Sequence, residues 1–140
     1  MAKIDFDIVT AEKLIYSEQI DVLIAPGTEG QLAILPNHAP LLTALQPGEL
    51  TILNDNKDKQ MVISGGFMEV MPDKITVLAD TAERIEDIDE ERAEKALKRA
   101  EEKIASNPTD VDLERALASL IKSRMRLKVA RRRKSKTQNI

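Results

Sequence analysis

Arg92 and Arg99 stand seven residues apart, and Arg115, Lys122 and Arg126 follow at steps of seven and four. At 3.6 residues per turn, a separation of seven returns to within ~20° of the same helix face. Each group is therefore a cationic row along one side of a helix. Guanidinium forks engage phosphate oxygens two at a time. Two such rows converging from facing helices would suit a polyphosphate without a glycine-rich loop. Rows of this kind also occur as solvated faces paired with glutamates, and spacing alone leaves both readings open.

The remaining reactive residue types form no comparable pattern. There is no Cys, so thiolate metal sites, disulfides and Cys nucleophiles are excluded. A single His excludes a His-based metal cluster. His38 lies in Leu35-Pro36-Asn37-His38-Ala39-Pro40, which reads as a turn or interface position. The carboxylates fall on helix faces and in polar loops rather than in an apolar cleft, so no raised-pKa pair is indicated. No G-x-x-x-x-G-K-[ST] loop is present. No catalytic residue and no metal site is expected, and the chain does not read as an enzyme.

Charge is distributed unevenly. The whole chain of 140 residues has a net charge of −3, from 21 Lys/Arg and 24 Asp/Glu. Residues 1–84 hold six Lys/Arg against thirteen Asp/Glu, and residues 85–114 hold five against eleven. Residues 115–140 hold ten Lys/Arg and no acid. A basic end on an acidic chain points to an anionic partner. A small nucleic-acid-binding adaptor is one such reading, although 2% aromatic residues leaves few rings for base stacking. A solvated, frayed tail over residues 131–140 is the plain alternative. No run approaches the ~20 apolar residues of a membrane span. Met1-Ala2-Lys3-Ile4-Asp5 lacks an apolar leader, so the chain is expected to stay where it is made.

These side chains need elements to position them. Ile4, Phe6 and Ile8 alternate with Asp5 and Asp7, the period of a half-buried strand. Short apolar runs follow at Leu14–Tyr16, Ile20–Ala25, Leu32–Leu35, Leu41–Leu45, Leu50–Leu53, Met61–Ile63, Phe67–Met71 and Ile75–Ala79, separated by Gly, Pro and Asn/Asp turns. Nine or ten strands at this spacing predict a sandwich or barrel. Asn54–Lys59 reads as a hairpin loop, and Gly65-Gly66 as a bulge or a close backbone approach.

From Asp89 the period becomes helical. Ala93, Ala96, Leu97, Ala100 and Ile104 make one stripe, capped by Asp87 or Asp89 and stopped at Ser106-Asn107-Pro108-Thr109. Leu113, Ala116, Leu117, Leu120, Ile121 and Leu127 make a second stripe, starting from Asp110 or Asp112 and predicted to run to about Lys134. The fold class is therefore α+β, with a β-sandwich over residues 1–84 and an antiparallel two-helix hairpin over residues 85–140. Stripes this narrow and Ala-rich bury little. Opening the hairpin should cost on the order of a few kcal/mol, which makes it a candidate switch.

Three stretches carry a family resemblance: Gly30-Gln31-Leu32-Ala33-Ile34-Leu35-Pro36-Asn37-His38-Ala39-Pro40, Gly65-Gly66-Phe67 and Ala79-Asp80-Thr81-Ala82-Glu83. With the strand-then-hairpin order, the chain resembles the epsilon subunits of bacterial rotary ATP synthases over nearly its whole length. The resemblance implies a ten-stranded β-sandwich on the central stalk, in contact with the gamma subunit and the rotor ring of c subunits, with Gln31 and His38 as partner-binding residues. It implies a hairpin with compact and extended arrangements, the extended one reaching the catalytic alpha and beta subunits and inhibiting ATP hydrolysis. Lys122, Arg124, Arg126 and Lys128 would then meet an acidic segment of the beta subunit. It further implies a peripheral place on the cytoplasmic face of the membrane, reached only through the complex, and no nucleic-acid partner.

Some members bind ATP in the compact form through an Ile/Leu-Asp-x-x-Arg-Ala motif, matched here by Ile88-Asp89-Glu90-Glu91-Arg92-Ala93. By resemblance, Glu83, Ile88 and Asp89 would lie near the adenine end. Arg92, Arg99, Lys122 and Arg126 would lie near the phosphates, and Ala93 completes the motif. Lys122 stands where ATP-binding members have Arg, and a point charge in place of a fork weakens a phosphate site. No cofactor is required on this reading; ATP is a regulatory ligand, with Mg²⁺ left open.

Overall fold

The computed structural model describes residues 2–138, with side chains as far as Arg132. Contacts divide the chain between Arg84 and Ile85 into a strand unit and a helical unit. The strands are β1 (Ile4–Val9), β2 (Leu14–Ile20), β3 (Val22–Gly27), β4 (Gly30–Ile34), β5 (Leu41–Leu45), β6 (Gly48–Asn54), β7 (Lys57–Ile63), β8 (Gly66–Val70), β9 (Lys74–Ala79) and β10 (Ala82–Arg84). They pair in the order β10-β7-β6-β3-β5-β8-β9-β1-β2, with β4 attached to β3 alone. Every pairing is antiparallel except β1 with β9. This is the expected ten-stranded sandwich, and its inner face carries the core. Ile4, Phe6, Ile8, Leu23, Leu50, Ile52, Met68 and Val77 are fully buried within it. The alternation of β1 thus translates directly into one buried and one wet face.

Two local expectations are corrected. Ile20–Ala25 is not one strand: β2 ends at Ile20 and β3 begins at Val22. The buried positions change from even to odd there, Ile20 to Leu23 and Ala25, so the chain must turn a corner at Asp21. The loop expected over residues 54–59 contracts to Asp55-Asn56, with φ of 53° and 63°. Both central residues are left-handed, as a type I′ hairpin requires, and Lys57-Asp58-Lys59 pair with β6 instead. Gly65-Gly66 is a close approach, as expected. A Cβ on Gly66 would lie 2.0 Å from the Leu78 carbonyl oxygen.

Carboxylates pin the corner and the neighbouring strands. The Asp21 carboxylate accepts from the Asp55 backbone N–H at 2.9 Å and lies 3.0 Å from Lys3 Nζ, and both hold it below its ordinary 3.8. Asp7 is lowered by the Ser17 hydroxyl at 2.7 Å and by Lys74 at 3.2 Å. Glu18 is lowered by the Tyr16 hydroxyl and by Lys59. A carboxyl with a depressed folded-state pKa contributes stability above its unfolded pKa and loses it as pH falls through the folded value. The thermal midpoint is therefore expected to be flat near neutrality and to fall by several degrees between about pH 5 and about pH 3. An unchanged midpoint across that window would remove these contacts from the stability of the strand unit.

The helical unit holds a 3-10 turn (Ile85–Asp87), α1 (Glu90–Ala105) and α2 (Asp110–Gln138). Of the two caps considered for α1, Asp89 is the one used: its Oδ1 accepts from the Arg92 backbone N–H at 3.1 Å. Ser106 closes α1 on the Lys103 carbonyl, Asn107 follows with φ 56°, and Pro108 prevents continuation. Asp110 is the first residue of α2, but Thr109 provides the cap, its Oγ1 facing the Asp112 N–H at 3.4 Å. The backbone of α2 runs to Gln138, four residues beyond the expected Lys134; residues 139–140, the end of the tail considered above, lie outside the described part. No described helix is long and apolar enough to cross a membrane.

Candidate functional site

Ion pairs at its two ends show that the hairpin is antiparallel. Arg131, late in α2, reaches Glu90 at 3.4 Å and Glu94 at 3.2 Å, near the start of α1. Lys103, at the end of α1, lies 4.0 Å from Asp112, at the start of α2. On α1 Ala93 and Ala100 are buried, and Ala96, Leu97 and Ile104 half-buried. On α2 Ala116, Ser123, Leu127, Val129 and Ala130 are buried, and Leu113 and Leu120 half-buried. With Ala96 and Val129 set apart, both groups step alternately by three and four, the seam spacing of antiparallel coiled helices. The second stripe is thus corrected: Leu117 and Ile121 are 42% and 50% exposed, while Ser123 is buried.

The seam divides the polar positions between two flanks. Glu94 and Arg131 share one flank. On the other, Ala96 of α1 and Arg126 of α2 hold equivalent places beside the seam. Ala96 is too small to fill its place, and a groove of about 750 Å³ opens there. Arg92, Lys95, Ala96, Lys98, Arg99, Glu102 and Arg126 line it. The lining thus carries five cations and one carboxylate, six of its seven residues coming from α1 and Arg126 from α2. Such a cleft attracts and orients a polyanion.

The expected site residues are only partly united. Arg92, Arg99 and Arg126 line the groove. Lys122 is half-buried on the same flank of α2 and is not among the lining residues. Asp89 spends one carboxylate oxygen on the helix cap, and Ile88 is half-buried beside it. Ala93 is fully buried in the seam, so its side chain serves packing. Glu83 is on β10, opposite Val62 of β7. Of the four basic residues expected to meet an acidic partner, Lys122 and Arg126 take the groove flank, while Arg124 and Lys128 are exposed elsewhere around α2. On the strand unit, Gln31 is exposed on β4, which pairs with β3 alone. His38 is half-buried in the turn after it, its Nδ1 2.6 Å from the Ala39 carbonyl.

The first residues matched belong to a family described as "ATP synthase, Delta/Epsilon chain, beta-sandwich domain", over residues 3–85, and the next to "ATP synthase, Delta/Epsilon chain, long alpha-helix domain", over residues 86–131. The chain belongs to the ATP synthase delta/epsilon family. It is 51% identical to an ATP synthase epsilon chain of Dehalococcoides mccartyi over 99% of both chains. It is 47% identical to one of Herpetosiphon aurantiacus, over 95% of this chain and 98% of that one. Among solved structures, it resembles a chain of the Euglena gracilis mitochondrial ATP synthase OSCP/F1/c-ring assembly. That match has TM-score 0.76 and 26% identity, over 89% of this chain and 79% of that one.

In this delta/epsilon chain one surface escaped the sequence reading. Strand register aligns Ala44, Phe67, Leu78, Val9 and Leu14 across β5, β8, β9, β1 and β2. Phe67, Leu78 and Leu14 are 56%, 56% and 57% exposed. An apolar row of this length on a wet face is a candidate partner surface. One signal was available: Phe67 is out of phase with the buried Met68 and Val70. The pairing that lines Phe67 up with Leu78 and Leu14 is invisible in one dimension.

Proposed function

We propose that this chain is the epsilon subunit of the central stalk of an F-type ATP synthase, a non-catalytic subunit that links rotor and catalytic head. Family membership across both units supports that assignment. The exposed apolar row fits docking on the gamma subunit, while Gln31 and His38 are the strand-unit residues expected to bind a stalk or rotor partner. The subunit sits peripherally on the cytoplasmic face of the membrane. The nucleic-acid adaptor alternative draws no support from the fold or the relatives.

The hairpin binds ATP when closed and inhibits ATP hydrolysis by the alpha and beta subunits when extended. One observation carries this reading: Arg92 and Arg99 of α1 and Arg126 of α2 line the same groove. Opening the hairpin would separate the arginines. A phosphate chain bridging them therefore binds the closed form selectively, and only such differential affinity shifts the equilibrium. Calorimetric titration of the full chain should show ATP binding that Arg92→Ala or Arg126→Ala abolishes. Absence of heat at millimolar ATP would leave the subunit a purely mechanical role.

A further inference from the structure

The strand order begins at β10 and ends at β2, so these two strands are free edges of the sheet. The sheet curls until the two edges face, and side chains bridge them there. Tyr16 of β2 is the fixed member. It is buried, its ring lies 5.7 Å from that of Phe6, and its hydroxyl donates to the Glu18 carboxylate. Two cations stand over the same ring: Lys59 Nζ of β7 at 5.8 Å and the Arg84 guanidinium carbon of β10 at 5.9 Å from its centroid. Both distances are within the range in which an aromatic face attracts a cation. Lys59 has Glu18 as counter-ion at 3.4 Å. Arg84 pairs with Met61, two residues along β7 from Lys59, so both cations project to the side of the sheet on which Met61 is buried.

Arg84 is also the last residue before the helical unit. β10 spans three residues and pairs with β7 alone. A strand at the lower limit of length, paired on one side, is marginal by its backbone alone. Its first end is fastened: the Thr81 N–H and hydroxyl reach Ser64 Oγ at 3.0 and 2.7 Å, and the Ser64 N–H donates to the Thr81 carbonyl at 3.1 Å. Its other end is fastened by the Arg84 side chain over Tyr16. We propose that Arg84 and Tyr16 form a latch that keeps β10 on the sandwich and so fixes the point from which the helical unit departs. Peeling β10 away would move that point from Ile85 back to Ala82 and lengthen the tether by roughly 10 Å, at about 3.3–3.6 Å per extended residue. Any rearrangement of the hairpin pulls first on Arg84, where the latch acts. The latch does not depend on the groove binding a nucleotide.

The test is amide hydrogen exchange of the full chain, read residue by residue. Arg84→Gln removes the cation from an exposed residue and leaves the core intact. It should speed exchange of the β10 amides about two- to fivefold, the scale of one exposed cation–aromatic contact, while β1 and β9 keep their rates. Tyr16→Leu should speed the same amides by a similar factor. The two changes together should speed them no further, because partners in one contact are not additive. Tyr16→Phe keeps the ring and should keep β10 protected. Unchanged protection of β10 in Arg84→Gln would overturn the latch. Additive effects in the double variant would overturn it as well, since each side chain would then act alone. Loss of β10 protection in Tyr16→Phe would assign the effect to the hydroxyl and overturn the role of the ring. Arg84→Gln decides the matter if Tyr16→Leu fails to fold.

Discussion

Gly66→Ala is expected to cost about 4 kcal/mol or more, the range reserved for severe single-site damage. The added Cβ would lie 2.0 Å from the Leu78 carbonyl oxygen, 2.9 Å from Ala79 Cα and 3.0 Å from the Leu78 carbonyl carbon. All three are backbone atoms of β9, which is paired to β8 on one side and β1 on the other. No side-chain rotation relieves the clash, so strands must part. At φ of 144° an alanine is also strained by itself. Gly30→Ala is the control, since its φ is 136° but no atom lies within 4 Å of the added Cβ. That variant should lose only the backbone strain, about 1–3 kcal/mol. Urea unfolding of the full chain separates the two; equal losses would show that contact with β9 is not the source of the effect.

Removal of residues 89–140 is expected to raise ATP hydrolysis by the reconstituted complex several-fold while the stalk still assembles. The core cluster of the sandwich is drawn from Ile4 to Ala79, so the truncated chain retains every residue of it. The apolar row on β5, β8, β9, β1 and β2 remains as well. Only the hairpin is lost, and with it both the proposed nucleotide groove and the proposed inhibitory form. Hydrolysis that stays at the level of the intact complex, with the truncated subunit present, would sink the inhibitory role.

The two effects mark different layers of the molecule. Gly66 acts through the geometry of strands, where an error of one methyl group cannot be absorbed. In the proposed switch the hairpin acts through a balance between arrangements, with exposed ion pairs such as Arg131 with Glu94 on the closed side. Exposed pairs of that kind contribute roughly 0–1 kcal/mol each, and the proposed ATP bridge can tip such a balance.

Much of this was legible in one dimension because it depends on neighbours in the chain. Period two in Ile4, Phe6 and Ile8 made one wet and one buried face. The change of period after Asp89 marked the start of α1, since a side-chain cap acts on N–H groups two or three residues away. The rows of Arg92 with Arg99 and of Lys122 with Arg126 follow from helix geometry alone. The motif residues from Ile88 to Ala93 could be named from sequence, although Asp89 proves to cap a helix and Ala93 to pack in a seam.

Tertiary structure decided what depends on residues distant in the chain. Leu117 and Ile121 are as apolar as Leu120 and Leu127, so hydrophobicity could not choose the inward face of α2. The partner helix chose it, because two helices in contact keep one seam of alternating three and four, and that seam admits Ser123. The same packing brought Arg126 of α2 to the groove that Arg92 and Arg99 of α1 line. Strand register aligned Phe67, Leu78 and Leu14, which lie far apart in sequence. Local propensities determine which elements form and which residues share their faces; only the contact between elements decides which of those faces meet.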